Sequence, residues 1–238
     1  MSIFAAAAGP ESTQDFEENG RGRQKAHRRR AVVDAALELF AERGYDNTMV
    51  EEIAQHAGVS PRTFFRYFDT KDAVLFFGGE DYFRSLSEVY LRQPTTIEDL
   101  EALEASFIAL VPIVTPLRRR IGLYYQALAT SAALRGRDVD ILARHGTQLA
   151  ELTATRRGLT PADQECELVA SLGLMLSRRA INRWLVTEPP GDLAACIRSE
   201  FATAAALFRS RRPRTRPSPN DHPPARGRSR GRAGGSST

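Results

Sequence analysis

The chain has 238 residues, 42% hydrophobic and 26% charged, enough apolar side chain for one sizeable core or two modest ones, which excludes a fibrous or wholly disordered protein. No run approaches the roughly 20 apolar residues that span a bilayer, and Met1–Ala8 lacks the basic stretch that opens a signal peptide, so a cytoplasmic protein with no membrane partner is expected. The net charge of +4 conceals a tail from Arg209 onward that carries +8 against a mildly acidic remainder, a distribution that suits local contact with a polyanion.

Residues 1–22 mix alanines, Gly, Pro and acids without periodicity and are expected to be a disordered leader. A basic cluster, Arg21, Arg23, Lys25, Arg28, Arg29 and Arg30, then precedes a first helix expected over about Gln24–Arg43, with Val33, Ala36, Leu37 and Phe40 on one face and Gly44 as its stop. Thr48-Met49-Val50-Glu51 has the form of a capping box with Thr48 as the cap of a short second helix, whose buried spacing Val50, Ile53, Ala54, Ala57 runs out at Gly58. Ser60-Pro61 starts a third helix to about Phe68, because Ser favours the N-cap and Pro suits the first helical position. Asp69-Thr70-Lys71-Asp72 supplies the next turn and cap, with helix four running to about Leu91.

Longer helices are expected near 97–111, 117–134, 138–156, 161–187 and 193–209, separated by Pro112 and Pro116, by Arg135-Gly136, by Gly158–Pro161 and by Pro189-Pro190-Gly191. The fold class is therefore all-α, about nine helices: residues 23–70 form a three-helix head and 71–210 a helical body. Residues 211–238, rich in Arg, Pro, Gly and Ser, form a disordered basic tail.

Two short helices joined by Gly58-Val59-Ser60 beneath a longer one make a helix-turn-helix. On the third helix, Arg62 and Arg66 lie one turn apart, as do Thr63 and Tyr67, while Phe64 and Phe68 point the other way into the small core. A polar strip of this kind suits a major groove, where Arg pairs with guanine and Thr meets a thymine methyl or polar edge. The alternative is a solvated face on an ordinary bundle helix.

The run Gly44–Ala54, continuing through Ala57–Phe68 and Lys71, resembles the signature of TetR-family regulators over residues 28–75. The resemblance implies double-stranded operator DNA as partner, with Ser60, Arg62, Thr63 and Tyr67 at DNA-contacting positions, Lys71 at a phosphate-contacting one, and Thr48 capping a helix whose N-terminus faces the DNA backbone. Met49 and Phe65 depart from the family pattern, which often has Thr and Tyr there. From the basic cluster, Arg28, Arg29 and Arg30 are expected as further contacts, to the minor groove or nearby phosphates.

In the body, two helices carry long apolar faces, Leu172, Met175, Leu176 and Trp184 on one and Ile197, Phe201 and Phe208 on the next, and the resemblance implies that they meet a second copy. Dimerisation is also expected because one recognition helix spans too few base pairs. The alternative is that both faces are buried within one subunit, since helical spacing does not distinguish the two. Phe83, Phe107, Tyr124, Tyr125 and His145 are the candidate lining of a pocket for a small-molecule effector. The stretch Arg118–Leu134 loosely resembles TetR-type regulators associated with acyl-thioester ligands and mycofactocin, which implies a mostly apolar effector.

No phosphate loop, GxSxG or HExxH occurs, and the four His stand singly, so neither catalysis nor a cofactor is expected. Cys166 and Cys196 form no metal-ligand spacing and read as inert buried thiols; a redox switch requires both to be accessible with lowered pKa. The function expected is a repressor released from a palindromic operator by its effector. An activator of the same fold, and a nonspecific nucleic-acid binder driven by the tail, are the alternatives.

Overall fold

The computed structural model describes residues 19–187 and 191–209; of the expected leader, residues 1–18, and the whole of the expected tail, lie outside them. The described residues are helical and contain no strand: α1 Asn19–Arg43, α2 Val50–His56, α3 Pro61–Tyr67, α4 Gly79–Arg92, α5 Asp99–Ala109, α6 Val111–Val114, α7 Arg118–Thr130, α8 Ala132–Arg157, α9 Gln164–Val186 and α10 Leu193–Arg209. All but the four-residue α6 correspond to helices expected from the sequence. No single helix among the described residues is long and apolar enough to cross a membrane.

The head is built as its periodicity requires. Val33, Ala36, Leu37 and Phe40 of α1 are buried against Ile53 and Ala54 of α2 and Phe64 of α3. Gly44 and Gly58 close α1 and α2 at φ +86 and +67, a left-handed conformation in which a Cβ is strained.

Two boundaries fall elsewhere than expected. The segment Asp69–Asp72 does not start helix four: Asp72–Val74 is a 3-10 turn, Gly78 reverses the chain at φ +82, and α4 begins at Gly79. Arg135-Gly136 does not break a helix either. The break is Ser131, in extended conformation, and α8 runs on through both residues while Arg135 donates to the carbonyls of Leu128 and Ala129 at the end of α7 (3.1 and 3.0 Å).

Arg135 is one of three arginines that satisfy carbonyls at helix ends, where the macrodipole also favours a cation. Arg118 donates to the carbonyls of Trp184, Leu185 and Thr187 at the end of α9, and Arg156 to those of Tyr90, Gln93 and Pro94 at the end of α4. Much of the body's positive charge is thus used internally. Within the body α9 packs against α8, α10 and α5, and α1 of the head lies along α7. Gly173 allows the approach of α5, since a Cβ there would sit 2.6 Å from Leu103 Cδ1.

Candidate nucleic-acid interface

The exposed face of α3 is set by its start. Ser60 Oγ accepts from Thr63 N (3.1 Å) and pairs with Thr63 Oγ1 (3.0 Å), and Pro61 follows at the first position. With Phe64 and Phe68 turned inward, Arg62 and Arg66 are exposed and Thr63 and Tyr67 half-buried beside them. Arg66 Nη2 lies 3.4 Å from Tyr67 Oη. The strip Ser60, Arg62, Thr63, Arg66, Tyr67 is continuous.

The flanking positions differ from expectation. Thr48 does not cap α2: it is 1% exposed and its hydroxyl donates to the carbonyl of Gly44 (2.8 Å). The cap is Met49, whose N–H donates to Glu52 Oε2 (2.8 Å), one residue later than the sequence pattern indicates. Thr48 is buried because Gly44 turns the chain back beneath it, and Glu52, also paired with Arg43 (3.1 Å), places a carboxylate where a phosphate was expected.

Lys71 does not project freely. Its Nζ donates to the carbonyls of Tyr45 (2.7 Å) and Thr48 (2.8 Å) and sits 4.0 Å from the Tyr45 ring centroid, so it clamps the α1–α2 turn; desolvation holds its pKa below the ordinary value. The basic cluster is helical, because α1 begins at Asn19 rather than near Gln24. Arg28 and Arg30 are exposed, whereas Arg29 turns onto the head, its guanidinium 3.8 Å from the Phe77 centroid and its pKa lowered by burial.

The expected effector pocket is not formed by the residues named for it. Phe83 stacks on His145 with centroids 4.3 Å apart, Phe107 packs on Phe201, and Tyr124 Oη donates to Asp138 Oδ1 (2.6 Å); these four are interior packing. An open groove of about 1100 Å³ lies instead between α8, α9 and the 158–162 turn, its apolar wall including Leu142, Ala150, Leu174 and Met175 and its polar end Arg178, Arg179 and Asn182. A neighbouring hollow of about 760 Å³, which shares Asn182, is lined by Tyr125, Arg118 and Arg119. Of the five residues expected, only Tyr125 borders either space; burial pushes its phenol up to about 12. Ala143, Gly146, Ala150 and Ala154, small residues at helical spacing on α8, are the sequence signal for the groove.

Residues 32–76 match the family described as bacterial regulatory proteins, tetR family, and residues 100–209 match the MftR C-terminal domain. The chain belongs to the TetR family. It is accordingly a DNA-binding transcriptional regulator and not an enzyme. It is 25% identical over 167 residues to the putative mycofactocin biosynthesis transcriptional regulator MftR of Mycobacterium tuberculosis, covering 70% of this chain and 84% of that one. The HTH-type transcriptional regulator TcmR of Streptomyces glaucescens is 46% identical, but over 59 residues, 24% of this chain and 26% of that one. A TerR/AcrR-family regulator from Aquifex aeolicus VF5 shares the fold at TM-score 0.53 and 17% identity, covering 76% of this chain and 99% of that one.

In this TetR-family chain most of the residues expected between copies are interior. Leu176, Trp184, Ile197 and Phe201 are buried within one subunit, and Trp184 Nε1 donates to the Gly191 carbonyl (2.9 Å). The reason is that α9 is surrounded by α5, α8 and α10, which leaves a narrow outer strip: Leu172 is half-buried there, and Met175, Leu168 and Val186 are exposed. The Phe208 side chain lies outside the described residues. Both cysteines are free, Cys166 buried and Cys196 half-buried, with burial pushing both thiols up, the opposite of a reactive thiolate.

Head and body meet along α1 and α7, where Arg119 pairs with Glu38 (2.8 Å), Arg120 with Asp34 (2.6 Å), and Tyr45 N donates to Thr130 Oγ1 (3.2 Å). Within the body, α4 meets α8 where Arg144 pairs with Glu80 (2.6 Å) beside the stacked Phe83 and His145. His145 Nε2 lies 3.7 Å from Glu80 Oε1, beyond hydrogen-bond range, and burial pushes the ring down to about 4 from its ordinary 6.5. With a folded pKa below the unfolded one, the neutral ring's contribution is complete above about pH 6.5 and is lost as the pH falls toward 4. Wild type is expected to lose unfolding free energy relative to His145→Gln between pH 7 and pH 5, measured by urea titration; parallel curves for the two proteins would exclude this.

Proposed function

We propose that this regulator is a cytoplasmic homodimeric repressor that binds a palindromic operator and is released by a small, mostly apolar effector. The observation that carries the reading is the continuous exposed strip Ser60, Arg62, Thr63, Arg66 and Tyr67 on a capped helix whose opposite side, Phe64 and Phe68, is buried in the head. Arg28 and Arg30 add phosphate contacts from α1; Thr48, Lys71 and Arg29 act by holding the head's shape.

The domain arrangement that fits is a DNA-reading head over 23–70, a regulatory body over 71–210 and an accessory basic tail. The α9 residues Leu168, Leu172, Met175, Arg179, Asn182 and Val186 recur at alternating intervals of four and three, the spacing of a helix–helix seam. A second copy packed along it closes the open side of the α8–α9 groove. The groove's apolar wall suits an apolar effector, and occupancy there shifts α8 and α9 against α7, which is ion-paired to α1, so the spacing of the two recognition helices changes.

The test is selection of bound duplexes from random DNA. A two-fold site with half-sites about one helical turn apart supports the reading, and uniform binding dependent on residues 211–238 overturns it in favour of a tail-driven binder. An effector that releases the DNA must also bind the operator-bound dimer less tightly than the free one.

The arginine roles separate by salt dependence. Arg28→Ala with Arg30→Ala is expected to reduce the slope of log K against log salt by about 1.8 per head, roughly 0.9 for each phosphate that is no longer neutralised. Arg29→Ala is expected to leave the slope unchanged and lower the melting temperature. An unchanged slope for the double variant removes Arg28 and Arg30 from the interface.

A further inference from the structure

The surface around the recognition strip is not wholly polar. Phe65 is 51% exposed and Met49 67%, the two large apolar side chains that the head leaves open to solvent. Phe65 stands between the two reading arginines in sequence, three residues after Arg62 and one before Arg66, so on α3 it borders the strip they form. Its neighbour Phe64 is fully buried and meets it edge-on, centroids 5.4 Å apart, which fixes the base of the exposed ring.

Exposure of so much aromatic surface to water is unfavourable in proportion to its area. The flanking charges identify what covers it: Arg62 and Arg66 on α3, with Arg28 and Arg30 on α1, favour a polyanion over a protein groove. In a DNA major groove the apolar feature at the base edges is the C5-methyl group of thymine. Two nearby groups expected to grip phosphate are engaged internally, and the start of α2 is taken by a carboxylate. The Thr48 hydroxyl is turned inward, Lys71 is bonded to two carbonyls, and Glu52 occupies the start of α2.

We propose that Phe65 is a specificity-determining residue that seats on a thymine methyl in each half-site, adjacent to the base pairs addressed by Arg62 and Arg66. This rests on the operator-reading assignment made above. A phenyl ring has no hydroxyl with which to hydrogen-bond the backbone phosphate, which is blind to sequence, so what it offers the duplex is an apolar contact to a base. The expected consequence is a required A·T pair at a fixed place in the half-site.

The experiment uses the full-length protein and the site recovered by selection from random duplexes, with each thymine replaced in turn by uracil, which removes only the methyl. At one thymine per half-site, uracil is expected to lower wild-type affinity about fourfold, the factor that accompanies loss of one buried methylene-sized group. Phe65→Ala is expected to bind the parent site more weakly and to be indifferent to that replacement, and selection with this variant relaxes the base pair. Phe65→Leu, which keeps an apolar group, retains part of the uracil effect. Unaltered melting of both variants shows the fold is intact, as an exposed position requires. Wild type indifferent to uracil throughout, or Phe65→Ala as sensitive as wild type, overturns the assignment of Phe65 alone. Failure to recover any preferred site overturns the operator-reading assignment, and this proposal with it.

Discussion

Arg62→Ala and Arg66→Ala are each expected to weaken binding to the selected operator by about 5- to 150-fold per half-site, the range for losing one good arginine–base pairing. Both guanidinium groups are exposed on α3, and among the described residues neither is ion-paired with a carboxylate, so removing them leaves the head's packing intact. Loss of affinity should therefore come without loss of melting temperature. The two variants should also differ in kind from Arg28→Ala with Arg30→Ala. A base-reading arginine relaxes the preference at its own base pair, whereas a phosphate-contacting one weakens all duplexes alike and flattens the salt dependence. Fluorescence anisotropy with the selected site and with single-base variants separates these outcomes. Normal affinity for the cognate site after both substitutions would exclude α3 as the reading element.

Asp138→Ala is expected to destabilise the body by about 1–3 kcal/mol, the cost of leaving the buried Tyr124 hydroxyl without its acceptor. Asp138 is 3% exposed, and its carboxylate accepts from Tyr124 Oη (2.6 Å) and from Arg178 Nη2 (2.7 Å), while the Arg178 guanidinium also stands over the Tyr125 ring. Without the carboxylate a buried phenol loses its acceptor, and Arg178, half-buried at the polar end of the groove, loses its counter-charge. For a chain of this size the melting temperature should fall by on the order of 5 °C in a calorimetric scan. Asp138→Asn, which keeps an acceptor for Tyr124, should fall less. Because Arg178 also lines the α8–α9 groove, the same variant should also blunt any effector response; unchanged melting would show that the cluster contributes little.

The helix ends of the head were legible because their signals are local. Ser60 and Pro61 start α3 through bonds made within one turn, and Gly44 and Gly58 stop α1 and α2 through their own backbone angles. The inward faces Val33–Phe40 and Phe64–Phe68 followed from spacing alone, as did the outward strip, because the two sides of one short helix have opposite polarity. Thr48 shows where such reasoning ends. The pattern Thr-x-x-Glu fitted a cap, but Glu52 lies one residue on and the Gly44 carbonyl offered the threonine a nearer acceptor, so the box closed on Met49. Arg29 and Lys71 belonged to basic stretches by sequence, yet one meets an aromatic ring and the other two carbonyls that fold-level packing brings to them.

In the body the sequence identified apolar faces but not their partners. Leu176, Trp184, Ile197 and Phe201 lie at correct helical spacing for a contact between copies, and the surrounding α5, α8 and α10 instead bury them within one chain. Phe83, Phe107, Tyr124 and His145 were large enough to line a pocket, and large side chains fill space where they meet one another. The groove opened beside the small residues of α8.

By itself, then, the sequence determined the all-helical class, the capped third helix and the side of it that faces outward. Those properties depend on residues within about one turn of each other, where backbone geometry fixes which groups meet. Only the tertiary structure decided which arginines are exposed, where the groove lies and which apolar strip of α9 stays open to solvent. Each of those depends on which distant helix arrives against a given face, and helical periodicity encodes the existence of a buried face without the identity of what buries it.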